Sequence, residues 1–335
     1  MSHPPGTDAR ADALVDRMLA GDRRALARLI TRIENRDPGG SEIMRRAYRQ
    51  SGRAYTVGIT GPPGAGKSTL VDRLLAAIRK TGATVAVIAV DPTSPFTGGA
   101  VLGDRIRMQA HTLDAGVFIR SMATRGSLGG LARTTAEVQK LVDAAGFAWV
   151  IVETVGVGQT ELDIVRLADT TVVVLVPESG DGIQTMKAGL LEAADILVVN
   201  KADREGAPRL MTELKYMVHL HREGQLASRD LDWEVPILST EAVHDVGVIH
   251  LLDTIGRHRA ALESSGALDR RRRARRAREL RELILAELRQ EVERALAEGG
   301  TLERVLSDVE AGRVDPYTAI RTIAERLRLD ATPSA

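Results

Sequence analysis

The stretch Thr56-Val57-Gly58-Ile59-Thr60-Gly61-Pro62-Pro63-Gly64-Ala65-Gly66-Lys67-Ser68-Thr69-Leu70 decides how the rest of the chain is read. A short β-branched run ends in G-x-x-x-x-G-K-[ST], and a helical pattern follows at once. In that setting the pattern is more than a glycine-rich turn with a chance Lys-Ser. Its glycines let backbone N–H groups turn inward around a phosphate chain, and the helix opening at Lys67 adds its positive end. Lys67 then reaches the β- and γ-phosphates, and the Ser68 hydroxyl is a ligand for Mg²⁺. Residues 61–69 imply a nucleoside triphosphate site.

Working outward, six further runs share the character of 56–60. They are TVAVIAV (84–90), VFIRS (117–121), WVIVE (149–153), TVVVLV (171–176), ILVVN (196–200) and VPILS (235–239). None alternates with polar residues, so each reads as a strand covered on both faces. Longer helical patterns separate them. The fold class is therefore α/β: a P-loop NTPase with a mostly parallel, doubly wound sheet and helical extensions at both ends. Residues 8–35 read as one or two helices, and a short helix around 42–50 follows the break at Asp37-Pro38-Gly39-Gly40. Beyond about residue 262 the composition turns to Arg, Glu, Leu and Ala without Pro, a strong helix former. The expected organisation is an N-terminal helical extension (1–52), the nucleotide domain (53–262) and a C-terminal helical arm (263–335).

The base is read from Asn200-Lys201-Ala202-Asp203, at the end of ILVVN. Guanine offers N1–H and N2–H₂ as adjacent donors that one carboxylate accepts together. Adenine has no such pair, so Asp203 selects guanine. Lys201 would lay its aliphatic stem along the base, and Asn200 would tie this loop to the phosphate loop. Ser239-Thr240-Glu241, also at a strand end, suits the companion loop whose backbone N–H meets the base oxygen.

On the magnesium side stands Glu153-Thr154-Val155-Gly156, where many GTPases have Asp-x-x-Gly. The strand delivers the Glu153 carboxylate toward the metal, and the Gly156 N–H falls near the γ-phosphate. Glu is one methylene longer than Asp and can act directly on a metal-bound water or on the attacking water. Asp91 ends its strand at the ligand-binding edge. Asp104 closes the long segment that follows, and it serves equally well as a helix N-cap. Together Ser68, Asp91, Asp104 and Glu153 are the candidate oxygen ligands of Mg²⁺. Lys187 sits about one turn into the helix after the loop PESGDGIQTMKAG (177–189), a segment that also reads as plain surface. The seven histidines show no metal-binding spacing.

Composition removes several function classes. Cysteine is absent, so disulfides, thiolate nucleophiles and Cys-based zinc sites are excluded. Aromatic residues make up only 3% and net charge is +1, which argues against base stacking and a polyanion-seeking surface. The arginine cluster at 270–278 is followed closely by Glu279, Glu282 and Glu287 and reads as a solvated or salt-bridged helix face. No apolar run of membrane-spanning length occurs, and the first residues lack the apolar core of a signal peptide. The expected setting is the cytoplasm, without nucleic-acid or membrane partners.

With these residues in place, the chain closely resembles the MeaB/ArgK-type GTPases, chaperones of methylmalonyl-CoA mutase. The resemblance rests on GITGPPGAGKSTL (58–70), AVDPTSPFTGGAVLGDRIRM (89–108), FIRSMATRGSLGGLA (118–132), IVETVGVGQTE (151–161), NKAD (200–203) and GRVDPYTAI (312–320). It implies a homodimeric, Mg²⁺-dependent GTPase converting GTP to GDP, with Glu in the Asp-x-x-Gly position as the family's rule. The implied partner is methylmalonyl-CoA mutase or a related adenosylcobalamin mutase, which stimulates hydrolysis. Nucleotide state would gate cobalamin loading and protect the mutase, with cobalamin reached only through that partner. The family's switch residues fall on Asp91, Asp104, Glu153 and Lys187, and its dimerisation arm on the C-terminal helices. The alternatives are an accessory GTPase for nickel insertion and a signal-recognition-type targeting GTPase. The first commonly carries His- or Cys-rich segments, and the second a Met-rich domain; neither feature stands in this sequence.

Overall fold

The computed structural model describes residues 9–91, 111, 113–123, 130–154, 166–177, 192–225, 231–297, 299–300 and 302–326. The β-branched runs become strands β1 (Tyr55–Thr60), β2 (Val85–Asp91), β3 (Val117–Ala123), β4 (Trp149–Thr154), β5 (Thr170–Leu175), β6 (Ile196–Asn200) and β7 (Ile237–Thr240). They form one sheet in the order β3-β2-β4-β1-β5-β6-β7, every pairing parallel. The expected doubly wound α/β fold is what the chain adopts. From β1 the chain first builds β2, β3 and β4 to one side, then crosses to β5 on the other. That reversal opens the crevice at the carboxyl edge beside β1, where ligands of such sheets bind.

Ten helices are described: α1 (Ala9–Leu19), α2 (Arg23–Glu34), α3 (Gly40–Gln50), α4 (Lys67–Lys80), α5 (Gly130–Ala144), α6 (Ala207–Gln225), α7 (Val248–Ser264), α8 (Ala267–Leu296), α9 (Glu303–Glu310) and α10 (Pro316–Arg326). The twofold alternation of strand side chains sorts them. Val57, Ile59, Val87, Ile151, Val172 and Val198 point to one face, covered by α4 and α7. Ala86, Ile88, Val90, Val150 and Val152 point to the other, beneath α1, α2, α3 and α5. On that same second face, Val173, Leu175, Leu197 and Val199 pack with α6.

The first helical pattern resolves into two helices. Gly21, at φ 91°, ends the run, and the Asp22 carboxylate then caps α2 by accepting from the amides of Arg24 (2.8 Å) and Ala25 (3.0 Å). Val15, Met18, Leu26, Leu29, Ile30, Ile33 and Ile43 are all buried. At roughly 1.5–3 kcal/mol for each such side chain removed from water, this contribution rivals the whole net stability of a domain. The N-terminal helices are therefore part of the core and not an ornament on it.

The chain divides into two compact units, Met1–Arg271 and Arg272–Ala335. In the second, Asp315-Pro316 is a helix start. The Asp315 carboxylate accepts from the amides of Tyr317 and Thr318 (3.0 Å each), and Pro316 takes the first helical position. Leu280, Leu283, Ile284, Leu285 and Leu288 of α8 are exposed.

The amino edge of the sheet is closed by a buried polar network. The Tyr55 hydroxyl lies 2.5 Å from Thr170 Oγ1, which lies 2.8 Å from His258 Nδ1, while His258 Nε2 lies 3.3 Å from Asp195 Oδ1. Burial pushes the Tyr55 phenol up, so it stays protonated and can donate to Thr170. Thr170 Oγ1 in turn meets His258 Nδ1, and Nε2 of that ring faces Asp195. That carboxylate also accepts from the Thr171 amide (2.8 Å) and from Arg271 (3.2 Å) at the start of α8. Burial alone would raise the Asp195 carboxyl. The hydrogen bond and charge of His258, the charge of Arg271 and the Thr171 amide together hold it below its ordinary value.

A carboxyl depressed in this way stabilises the fold above its unfolded-state pKa, and the contribution disappears as pH falls through the folded-state value. Asp195→Asn is accordingly expected to lower unfolding free energy by about 3 kcal/mol at neutral pH. The gap from wild type should narrow in urea titrations run below the ordinary carboxylate value of 3.8.

Candidate nucleotide site

The phosphate loop leaves the end of β1 and packs closely against Val174 of β5 and Asn200 of β6. Gly61 has φ 139°, and a Cβ there would stand 2.0 Å from the carbonyl oxygen of Val174. Gly66 has φ 84°, and its Cβ would stand 2.4 Å from Asn200 Nδ2. Both need glycine for two reasons, a backbone that side chains disfavour and a neighbour too close to admit one. The loop ends in α4, whose N-terminus opens at Lys67.

Lys67 and Ser68 are both buried. The Lys67 ammonium curls back over the loop and donates to the carbonyls of Gly61 and Pro62, each at 2.9 Å. Those bonds hold the charge over the cradle formed by residues 61–66, where the phosphate chain of a nucleotide lies in a P-loop. Pro63 and Gly64 are exposed, Pro62 and Thr69 half-buried, and Ala65 buried.

Ser68 Oγ donates to Glu153 Oε1 at 2.6 Å. Strand parity explains this meeting: Glu153 shares a face with Ile151, the face that α4 covers. The glutamate of the ETVG stretch thus reaches the first turn of the phosphate-loop helix. A hydroxyl and a carboxylate in contact are hard oxygen donors of the kind Mg²⁺ accepts while keeping much of its water shell. Among the described residues no three acidic or histidine side chains gather into a metal-binding group. On the opposite face, Thr154 Oγ1 donates to Thr60 Oγ1 (2.9 Å), pinning the ends of β4 and β1 together.

The base-side loops converge on Asn200. Its Nδ2 donates to the Ala65 carbonyl (2.8 Å), while Oδ1 accepts from Thr240 Oγ1 (3.0 Å) and the Ala242 amide (3.1 Å). Lys201, at φ 57°, extends across the phosphate loop and donates to the Gly64 carbonyl (2.8 Å). Asp203 is exposed, and its carboxylate makes no hydrogen bond or ion pair with the described residues. Ser239 is exposed at the end of β7, and Glu241 exchanges backbone bonds with Val246 to close a tight loop.

Asp104, Gly156 and Lys187 lie outside the described residues. Asp91 ends β2 beside Ala123 of β3, and its side chain is not described. The structure brings together Lys67, Ser68 and Glu153 on one side of the loop, and Asn200, Lys201, Thr240 and Glu241 on the other.

Three threonines escape a reading made by motif alone. Thr240 stands in the companion loop, yet its hydroxyl turns inward to Asn200. Thr60 and Thr154 never appear as a pair in the sequence. Counting parity from Ile59 and Glu153, which stand side by side in the β1–β4 register, brings them into view.

Comparison with known proteins agrees with this geometry. The family described as methylmalonyl-CoA mutase-associated GTPase MeaB matches residues 26–297. A Pyrococcus abyssi protein that carries a GTPase name is 51% identical over 316 residues, with 94% of this chain and 96% of that protein covered. A Caenorhabditis elegans protein described as a mitochondrial methylmalonic aciduria type A homolog is 33% identical, covering 94% of this chain and 82% of its own. A solved structure described as a LAO/AO transport system kinase superposes with a TM-score of 0.68 at 27% identity, covering 96% of this chain and 99% of its own. No helix among the described residues is long and apolar enough to cross a membrane. A match running from the second helix through the long C-terminal one, over a phosphate loop and base-side loop of this geometry, makes the chain a P-loop GTPase of the MeaB family.

Proposed function

We propose that this GTPase is the chaperone of an adenosylcobalamin-dependent mutase of the methylmalonyl-CoA type. GTP hydrolysis gates cobalamin loading and protects the mutase from inactivation. The name of the matching family and that of the nematode relative support this partner. Cobalamin is met only through the mutase. The protein works as a homodimer in the cytoplasm, and the exposed leucines of α8 support a partner surface in the C-terminal unit.

The contact between Ser68 and Glu153 carries the chemical reading. Ser68 and Glu153, with Asp91 and Asp104, would hold a Mg²⁺ ion, which would supply charge neutralisation for in-line attack by water. This chain's part is positional. Lys67 brings its ammonium to the phosphates, Ser68 offers its hydroxyl to the metal, and Glu153 orients the water beside Ser68. Asp91 and Asp104 add carboxylates from the segment after β2, Gly156 an amide near the γ-phosphate, and Lys187 a cation from a partner-sensing loop. On the far side, Lys201 flanks the base, Asp203 accepts from its two donors, and residues 239–241 shape the loop under its oxygen.

Lys67→Ala should lower GTP turnover by two orders of magnitude or more, roughly the loss of one strong electrostatic contact in a transition state. Wild-type turnover in that variant, measured as released phosphate, would sink the assignment. Asp203→Asn should weaken GTP by about ten- to a hundredfold in calorimetry and admit xanthosine triphosphate, whose extra carbonyl suits an amide donor. Glu153→Gln should slow basal and mutase-stimulated turnover alike, by at least about tenfold. A slow stimulated rate beside an unchanged basal rate would make Glu153 a relay to the partner and not part of the chemistry. Absence of any stimulation by a cobalamin mutase, with wild-type protein, would remove the proposed partner while leaving the GTPase reading intact.

A further inference from the structure

A cavity of about 600 Å³ opens between α6, the extended run that leads into β7, and the middle of α7. It lies at the amino edge of the sheet. Ile237, in its wall, is the first residue of β7, and Pro236 accepts through its carbonyl from the Leu197 amide at the start of β6 (2.9 Å). The phosphate and base loops leave from the opposite edge, so nucleotide binding makes no use of this cavity.

Part of its wall is an indole held rigidly from behind. Trp233 donates Nε1–H to the Asp195 carbonyl (2.8 Å), and its ring lies on His258 with centroids 4.8 Å apart. Val235 and Pro236 continue the apolar surface. Lys215 from α6 and Arg257 from α7 line the same space, with Glu234 as its one carboxylate. Lys215 is exposed and has no ion-pair partner among the described residues. Arg257 gives one N–H to Thr254 Oγ1 (2.8 Å), and a guanidinium carries five.

An apolar, partly aromatic wall with a few charged groups, in a volume between roughly 300 and 1,000 Å³, is the usual form of a small-ligand site. Two permanent cations against one carboxylate set the sign of the ligand's polar end. They are too few for a nucleic-acid backbone, which needs a track of such groups. We propose that this cavity binds a small amphipathic anion. Its carboxylate or phosphate head rests on Lys215 and Arg257, and its flat or apolar body on Trp233, Val235 and Pro236.

The test uses the full-length chain saturated with Mg²⁺ and GDP, which keeps the probe out of the nucleotide site. The chain has two tryptophans, so Trp149→Phe leaves Trp233 as the sole indole. The probe is 1-anilinonaphthalene-8-sulfonate, an aromatic anion whose binding quenches a neighbouring indole. Saturable quenching at one probe per chain is expected, with N-phenyl-1-naphthylamine, the same rings without the sulfonate, binding at least about tenfold more weakly. The double variant Lys215→Glu/Arg257→Glu should weaken the dye by a similar factor while GTP turnover and urea unfolding stay unchanged. Should that pair fail to fold, Lys215→Ala alone is read in the same way. Displacement of the dye by benzoate or by phenyl phosphate identifies the head group. Non-saturable quenching, equal affinity for the uncharged dye, indifference to the charge variants, or displacement by neither competitor overturns the proposal.

Discussion

One buried carboxamide holds the nucleotide site in register. Asn200 donates to the phosphate loop at Ala65 and accepts from Thr240 and Ala242 of the companion loop. Three segments far apart in sequence therefore share a single side chain with both of its ends engaged. Leaving any of these buried groups unmatched costs more than an ordinary hydrogen bond contributes, because water cannot replace the partner. The arrangement also couples the two halves of ligand recognition. Whatever displaces the loop under the base pulls on the loop around the phosphates, through a linkage with little slack.

The sheet makes that meeting possible. With β1 between β4 and β5, the phosphate loop emerges at the centre of a row of strand ends. Glu153 arrives from β4 on the side facing α4, while Asn200 arrives from β6 across β5. Alternation does the sorting: Glu153 meets Ser68, and Thr154, its neighbour in sequence, is turned to the opposite face and bonds Thr60. A shift of one residue in the β4 register would exchange those two roles. Burial along β1, β4 and β5 makes such a slip expensive, and in this sense the core protects the chemistry.

Much of this was legible from residue order. Local patterns carry their own physics: G-x-x-x-x-G-K-S needs its glycines, and a run such as ILVVN has no polar face to show to water. Those signals located the strands and the phosphate loop, and they suggested that Asn200 belongs near that loop. The inward turn of Thr240, the Thr60–Thr154 pair and the Asp195–His258 network were not legible. Each depends on which strands are neighbours, and sheet order is written in no single segment. Asp195 and Arg271 stand 76 residues apart, and nothing around either announces the other. The exposed stripe of α8 shows the same limit from the other side, since spacing reveals an apolar face but not what covers it.

The N-terminal helices have a consequence for how the chain comes into being. Their apolar faces are completed by Ile88 and Val90 of β2, Val150 and Val152 of β4, and Val138 and Leu141 of α5. During synthesis α1, α2 and α3 leave the ribosome ahead of the sheet, and roughly a hundred residues must follow Ala47 before the last of those strands is available. For that interval the nascent chain carries an unfinished apolar surface, and local helix formation cannot hide it. Completion of this core thus waits on long-range closure, since the apolar faces of α1, α2 and α3 are not fully covered until β4 is made.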